Sequence, residues 1–273
     1  MDKKQQYRRR IRRKLFWDRH KNTIAIWGMI ALGVLALAGA ICWRTLSDQN
    51  EAAKAKERLA RMPAGSGFSV SLCEKAPENV PAYAGEDYVT LNEGVPEFNL
   101  YDLQGIQGES YRELDALGRC GPAVAVLHHS MMPTEKREPI GEIRPSGWVQ
   151  RKYEGIVDSD PPYLYNRCHL IAFALTGQNA NEKNLITGTR HFNADSMLYW
   201  ELQVMEYLEK SDHHVLYRVT PYFAGDELVA RGVEMEAYSV EDGGEGICFH
   251  VFVYNVQPGV EIDYATGESH LEE

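Results

Sequence analysis

The chain has 273 residues, of which 44% are hydrophobic, so it is long enough for one or two domains with a buried core. Its formal net charge of −10 is unevenly divided: residues 1–44 carry 11 Lys/Arg against 2 Asp/Glu, and the remainder carries 18 against 37. Such opposed charge indicates that the two ends of the chain lie in different environments. None of the five cysteines forms a CxxC pair, which argues against a zinc ribbon or a thioredoxin-like site.

A basic tail (residues 1–22) is followed by an apolar segment (residues 23–43) that we predict to be a transmembrane anchor. The core of this segment, TIAIWGMIALGVLALAGAIC, has 20 residues, and ~20 helical residues span the ~30 Å hydrocarbon layer. Trp27 and Trp43 lie towards its two ends, as interfacial aromatic residues do. Because positive charge stays on the cytoplasmic side, we expect the tail in the cytoplasm of a bacterial cell and the rest of the chain outside.

Cleavage of this segment as a signal peptide is the alternative. Ala36-Leu37-Ala38 has the small-x-small form of a cleavage site, but the apolar run continues past it. Cys42 resembles a lipoprotein site, yet Ile41 is larger than the residue expected before such a cysteine. An uncleaved, single-pass anchor therefore fits the sequence better.

Residues 44–82 are predicted to form a stalk or linker, because they are rich in Ala and charged residues, offer little to bury and end in the breaker PAGSG. The folded domain is predicted to span residues 83–273. A short helix around YRELDAL (111–117) and a loop-rich segment with three prolines (132–148) are expected within it. Strands are predicted at DYVTL (87–91), AVAVLHH (123–129), HHVLYRVTPYF (213–223), VEMEAYSV (233–240) and ICFHVFVYNV (247–256), the last two joined as a hairpin through EDGGEG.

This mixture of strands with a few helices predicts an α+β fold. His213, His214 and His250 have no motif around them and are predicted to be strand or edge residues rather than ligands. Apart from Cys42 in the apolar segment, the cysteines allow three disulfide pairings, and free buried thiols fit equally well. These four are Cys73, Cys120, Cys168 and Cys248.

The stretch Tyr163–Glu201 concentrates the polar residues that can carry chemistry. Its first part, YLYNRCHLIAF, is strand-like, so Arg167 and His169 should share one face while Cys168 points the other way. This alternation disfavours a Cys–His nucleophilic pair at positions 168 and 169.

The second part is predicted as a polar loop, GQNANEKNLITGTR (177–190), followed by an amphipathic helix with Met197, Leu198, Leu202, Met205 and Leu208 near one face. Asn193 and Glu201 then lie along a similar side of that helix. A neutral imidazole can take a proton from water, an amide oxygen is a suitable ligand for Mg²⁺, and a guanidinium can hold a phosphate. The combination suggests a metal-dependent hydrolase.

The chain from about Asp87 to Ser269 resembles the DNA/RNA non-specific endonucleases of the ββα-metal (His-Me finger) type, especially membrane-anchored DNA-entry nucleases and secreted DNases of Gram-positive bacteria. The resemblance is carried, in this order, by MPTEKREPIGEIRPSGW, NRCHLIAF, NEKNLITGTRHFN, YRVTPYFAGDELVARGV and VFVYNVQPGVEIDYATG. It implies a central antiparallel sheet, with the active site on a ββα element.

The resemblance also implies roles for individual residues. His169 matches the general base, Asn193 the single protein ligand of the catalytic metal, and Arg167 the arginine that precedes the base. Two further residues match supporting roles: Asn184 the asparagine that supports base and substrate geometry, and Glu201 the acidic residue hydrogen-bonded to metal waters. The family's usual Asp-Arg-Gly-His is Asn-Arg-Cys-His (166–169) in this chain. The implied cofactor is Mg²⁺, with Mn²⁺ as the alternative.

The implied substrate is DNA, with RNA as a second candidate, bound without sequence preference. Residues 133–193 hold eight Lys/Arg and seven Asp/Glu, so this part is near neutral while its flanks are acidic. We therefore expect modest, salt-sensitive affinity. Arg144 and Arg190 are candidate phosphate contacts, with ordinary surface charge as the alternative.

Two other functions remain compatible with the sequence. The first is a surface receptor that binds DNA for uptake, its catalysis weakened by the altered motif at Asn166. The second is an adhesin or scaffold that uses the domain on its stalk. A receptor should bind DNA without cleaving it. An adhesin or scaffold should show neither binding nor cleavage.

Overall fold

The structure is a computed structural model that describes residues 80–98 and 108–272. The predicted basic tail, the predicted transmembrane segment and nearly all of the predicted stalk lie outside these residues. Within the described ranges, no helix combines the length and the apolar character needed to cross a membrane.

An antiparallel sheet of six strands, in the order β1-β8-β7-β6-β3-β2, forms the centre of the domain. Two further antiparallel pairs are β4-β5 and β9-β10. The strands are β1 (Tyr88–Thr90), β2 (Glu109–Tyr111), β3 (Ala123–Leu127), β4 (Tyr165–His169), β5 (Leu185–Thr189), β6 (Val215–Tyr222), β7 (Gly232–Ser239), β8 (Cys248–Tyr254), β9 (Val260–Ile262) and β10 (Ser269–Leu271), and the helices are α1 (Phe173–Thr176) and α2 (Met197–Lys210). The predicted mixed fold with a central antiparallel sheet is confirmed, including the hairpin of β7 and β8.

The central strands are apolar on the face that packs against α2. Tyr217 and Val219 point into this main core, while their neighbour Arg218 points to the opposite face, as the two-residue period of a strand requires. Helix α2 supplies Trp200, whose ring centroid lies 4.7 Å from that of Phe249 on β8. Burial of this shared face fixes the position of the helix on the sheet.

Strands β4 and β5 form a hairpin that leads into a turn of π-helix (Phe192–Ser196) and then into α2. His169 pairs with Leu185 at one end of the hairpin, and Tyr165 pairs with Thr189 at the other. The prediction that residues 177–190 are loop throughout is wrong, because Leu185–Thr189 forms β5. Its five residues are all buried between neighbouring elements, which favours a strand despite the polar composition.

The predicted buried face of α2 is confirmed in part, because it included Met197 and Leu208. Met197, Val204 and Leu208 are fully buried, whereas Leu202, which was predicted on this face, is 42% exposed. Leu202 is exposed because, at 3.6 residues per turn, it is rotated by about 140° from Met197, whereas Val204 and Leu208 return close to the direction of Met197.

The predicted short helix at residues 111–117 is not formed. Tyr111 ends β2, and the chain then makes a turn in which Asp115 accepts hydrogen bonds from the backbone N–H groups of Leu117 and Arg119. A carboxylate that accepts hydrogen bonds from nearby backbone N–H groups competes with helical hydrogen bonding, and at Asp115 it favours the turn over a helix.

A charged network covers part of the opposite face of the sheet. Glu236, fully buried on β7, is paired with Arg218 on β6, and Glu234 is hydrogen-bonded to Nε2 of His250 on β8. Burial lowers the pKa of His250, but Glu234 and Glu236 outweigh this and raise it overall, which favours the imidazolium. His250 is thus a strand residue, as predicted.

Candidate active site

His169, the last residue of β4, is buried and held at both ring nitrogens. Its Nε2 lies 2.9 Å from the carbonyl oxygen of Asn179, and its Nδ1 lies 3.2 Å from Nη2 of Arg137. A carbonyl oxygen can only accept a hydrogen bond and a guanidinium can only donate one, so the proton of the neutral imidazole is on Nε2. The lone pair of Nδ1 therefore faces Arg137.

Burial lowers the pKa of His169 to about 4, and the positive charge of Arg137 acts in the same direction. The imidazole is consequently neutral and able to accept a proton at pH 7. This is the state that a general base requires.

Glu201, on the first turns of α2, is only 7% exposed. Burial raises the pKa of its carboxyl group to about 8, although the charge of Arg137 partly opposes this. Among the described residues, no hydrogen-bond or salt-bridge partner meets its carboxylate. Because an unpaired buried carboxylate is costly, the position is one that a cation would stabilise. Arg137 contributes to the pKa shifts of both His169 and Glu201, so its charge lies within electrostatic range of both.

Asn193 lies in the π turn that precedes α2, and π turns are frequent at functional sites. Its side chain is partly buried, and its amide makes no hydrogen bond to the described residues. Asn179 offers a second unsatisfied oxygen, because its Oδ1 is buried without a partner. Amide and carboxylate oxygens are the ligands that Mg²⁺ and Mn²⁺ prefer, so the donor set of Asn193, Asn179 and Glu201 fits a hard divalent cation.

Arg167 shares a face of β4 with His169, as predicted, but its guanidinium binds a loop. Nε donates to the carbonyl of Ile143 at 2.5 Å, and Nη2 donates to that of Gly141 at 2.6 Å. The guanidinium carbon also lies 4.4 Å from the centre of the Trp148 ring. In this arrangement Arg167 holds the segment that follows Arg137.

Asn184 is fully buried behind the site. Its Oδ1 accepts from the backbone N–H of Ile171 at 2.8 Å, and its Nδ2 donates to the carbonyl of the same residue at 3.0 Å. The side chain thereby fixes the turn of the chain directly after His169, which is a positioning role.

The two predicted phosphate contacts lie in different places. Arg144 is exposed. The pKa of Arg167 is lowered first by its own burial and then by the positive charge of Arg144, which places Arg144 near Arg167. Arg190 follows β5 at the end of the hairpin far from His169, about 17 Å along the strand at ~3.4 Å per residue. Its Nε donates to the carbonyl of Asp158 at 3.3 Å.

Cys168 points into the core, as strand alternation predicted. Its Sγ lies 3.4 Å from the sulfur of Met197, and burial raises the pKa of its thiol well above the usual value. Its space is provided by Gly188 on β5, where an added Cβ would lie 2.7 Å from that of Cys168. Cys168, Cys120 and Cys248 are free thiols, and Cys73 lies outside the described residues.

Arg137 is the residue of this site that sequence reasoning missed as a functional group. It lies in the proline-rich loop, where neither strand nor helix periodicity assigns a direction to a side chain. Only its place within MPTEKREPIGEIRPSGW, a segment that carries the family resemblance, pointed to it.

The hairpin, the π turn and α2 carry a neutral buried histidine, an unpaired carboxylate and a free amide oxygen, which are the residue types of a metal-dependent hydrolase. The sequence model of the DNA/RNA non-specific endonuclease family matches residues 100–241, just over half of the chain. The chain belongs to this family, and the prediction that it is a nuclease is confirmed by its membership.

Known proteins that resemble the chain are nucleases. It is 34% identical over 111 residues to a deoxyribonuclease from Streptococcus dysgalactiae subsp. equisimilis, a match that covers 38% of this chain and 32% of that protein. NucA from Streptococcus agalactiae with magnesium bound aligns with 71% of this chain and 93% of its own, at a TM-score of 0.60 and 25% identity. Sda1 nuclease with bound zinc aligns with 68% of this chain and 96% of its own, at a TM-score of 0.56 and 26% identity.

Proposed function

We propose that the chain is a membrane-anchored, outward-facing endonuclease that hydrolyses phosphodiester bonds without sequence preference, in DNA and secondarily in RNA. The observation that carries this proposal is the tautomer of His169, whose Nδ1 carries the lone pair and lies 3.2 Å from Nη2 of the exposed Arg137. The S. dysgalactiae relative is a deoxyribonuclease, which supports DNA as the first substrate.

In this mechanism, Nδ1 of His169 takes a proton from the water that attacks phosphorus. The hydrogen bond from Nε2 to the carbonyl of Asn179 keeps the ring in place and stabilises the imidazolium that forms. Asn184 supports this geometry by fixing the turn after His169.

Arg137 donates its hydrogen bond to the same lone pair that must accept the proton. We infer that it leaves Nδ1 when substrate binds and donates instead to the scissile phosphate, for which a planar guanidinium is well suited. Its exposed position at the edge of the site permits this movement.

Asn193 would hold a divalent metal ion, Mg²⁺ or Mn²⁺, and the Glu201 carboxylate would lie beside it as a hydrogen-bond acceptor. When bound, such an ion neutralises the charge that develops on the leaving oxygen. The magnesium of the NucA structure and the zinc of the Sda1 structure support a divalent ion for this family.

The anchoring of the domain outside a bacterial membrane rests on the basic residues 1–22 and the apolar residues 23–43. Binding of nucleic acid by a chain with this excess of acid should be modest and salt-sensitive, because it depends on few cations. Arg144, near Arg167, and Arg190, at the far end of the hairpin, are the proposed outer contacts.

Removal of the metal tests the proposal directly. The full-length chain, purified in mild detergent, should cut plasmid DNA with Mg²⁺ and stop when EDTA is added. Asn193→Ala should lose cleavage about 10²-fold or more, because the proposed direct ligand of the metal is then lost. Gel analysis of plasmid nicking over time gives both rates.

Asn181→Ala is the matched control, because it removes the same type of side chain from the Asn-rich loop that precedes β5, where Asn181 only caps the turn at Lys183. It should retain cleavage. Full activity in EDTA would contradict the metal mechanism, and DNA binding without cleavage at any divalent ion would favour the receptor function instead.

Arg137→Ala should lower kcat/KM about 10²-fold, because a charged donor to the phosphate is lost. Lys136→Ala, which removes the adjacent exposed cation, should change it little beyond the salt dependence. If Arg137 only blocked the base, its removal would increase the rate, so unchanged or faster cleavage in steady-state assays would overturn the proposed movement.

A further inference from the structure

A cluster of histidines lies where β3 ends and β6 begins, outside the residues assigned to the nuclease site. The dipeptide His128-His129 follows β3, and the tripeptide Asp212-His213-His214 precedes β6. Since Leu127 pairs with Val215 in the antiparallel register of these strands, the dipeptide lies opposite the tripeptide. The rings of His128 and His214 accordingly stack at 4.8 Å.

Three side chains of this cluster converge. Oδ1 of Asp212 lies 3.0 Å from Nε2 of His128 and 3.4 Å from Nδ1 of His129, and all three atoms lie within 4.8 Å of one another. In a tetrahedral zinc site with bonds of ~2.0–2.2 Å, neighbouring ligand atoms are about 3.3 Å apart. Two of the three separations are therefore already close to those of a coordination shell.

We propose that His128, His129 and Asp212 bind a transition-metal ion of the Zn²⁺ class, with water completing the coordination. Imidazole nitrogens select Zn²⁺, Ni²⁺ or Cu²⁺ over Mg²⁺, so this site is chemically distinct from the oxygen donors around Asn193. The bound ion clamps the end of β3 to the loop between α2 and β6.

Neighbouring groups can orient the ligands. Nδ1 of His128 accepts from the backbone N–H of Ser130 at 3.3 Å, so the ring proton lies on Nε2, towards Asp212. Binding of a metal at Nε2 requires this proton to move to Nδ1, where Oγ of Ser130, 2.8 Å away, can accept it. Glu241 binds Nδ1 of His214, the residue on which His128 stacks. Among the described residues, the other metal-like group, Glu234, Glu236 and His250, is already hydrogen-bonded to the backbone of residues 95 and 97 and to Arg218. The cluster of His128, His129 and Asp212 is instead accessible to an ion from solvent, because the side chain of Asp212 is 84% exposed.

Calorimetric titration with Zn²⁺ tests this site. The full-length Asn193→Ala chain is used in excess Mg²⁺, so that the proposed catalytic metal site does not contribute. It should bind one equivalent of Zn²⁺, and Zn²⁺ should raise its Tm. Adding His129→Gln or Asp212→Asn should weaken binding at least tenfold and abolish the rise in Tm, while the same substitutions in the wild-type chain leave nuclease activity unchanged.

His213→Gln is the matched control, because His213 lies in the same cluster but outside the three ligands, with Nδ1 bound to the hydroxyl of Tyr207. It should bind Zn²⁺ like its parent. Absence of binding in the parent, equal binding in the ligand variants, or equal weakening by His213→Gln would each overturn the proposal. Thermal unfolding without metal shows whether every variant is folded. The site does not depend on the nuclease mechanism, so inactivity towards DNA leaves this test intact.

Discussion

Replacement of His169 by alanine should reduce the rate of DNA cleavage about 10²–10⁴-fold, the contribution of a positioned general base. The expectation follows from the contacts of the ring: Nε2 is committed to the carbonyl of Asn179, and Nδ1 has its lone pair available once Arg137 moves. Single-turnover cleavage of a short duplex in Mg²⁺ measures the chemical step directly.

Cys168→Ala is the matched control for His169→Ala. The two residues are adjacent, but Cys168 faces the core and Met197, so its loss should lower stability modestly and leave the chemical step nearly unchanged. Added imidazole should partly restore cleavage to His169→Ala and do nothing for Cys168→Ala, which separates a missing base from a damaged fold. Cleavage at the wild-type rate by His169→Ala would remove His169 as the base.

The pKa of His169 also sets an expectation for pH. Because burial lowers it to about 4, the ring does not become protonated between pH 8 and pH 6. Any loss of activity in that range should therefore arise from other groups.

The strands of the central sheet were predictable because their apolar residues are continuous and their turns carry clear signals. β6, β7 and β8 match the predicted segments to within two residues, and EDGGEG marks the hairpin. β5 was missed because Leu-Ile-Thr-Gly-Thr is short and its neighbours are polar. Only its burial between β4 and the rest of the domain makes it a strand.

Within the site, local periodicity predicted what depends on a single element. Alternation along β4 correctly separated Cys168 from His169. It gave no information on Arg137, which reaches His169 across 32 residues of sequence from a loop. The helical step from Asn193 to Glu201 was predicted without the π turn, which no sequence rule signals and which leaves Asn193 before the start of α2.

Glu201→Gln should make the metal-free protein more stable at neutral and alkaline pH. Burial raises the pKa of Glu201 to about 8, against 4.5 for the ordinary group. Below about pH 4.5 the carboxyl is protonated in both the folded and the unfolded chain. Between there and pH 8 only the unfolded chain releases the proton, so the free energy of unfolding falls as the pH rises, by roughly 3 kcal/mol at pH 7.

Glutamine has the shape of the protonated acid and does not titrate, so Glu201→Gln removes this loss. Urea unfolding in EDTA should give equal stability for the two chains near pH 4.5 and an advantage for the variant that grows towards pH 8. A difference that is the same at every pH would show that Glu201 carries no such proton. The same variant should cleave DNA about 10–100-fold more slowly, since an amide cannot supply the negative charge beside the metal. A residue whose replacement stabilises the fold while it slows the reaction is retained for chemistry, and this pairing is what separates Glu201 from the apolar residues around it on α2.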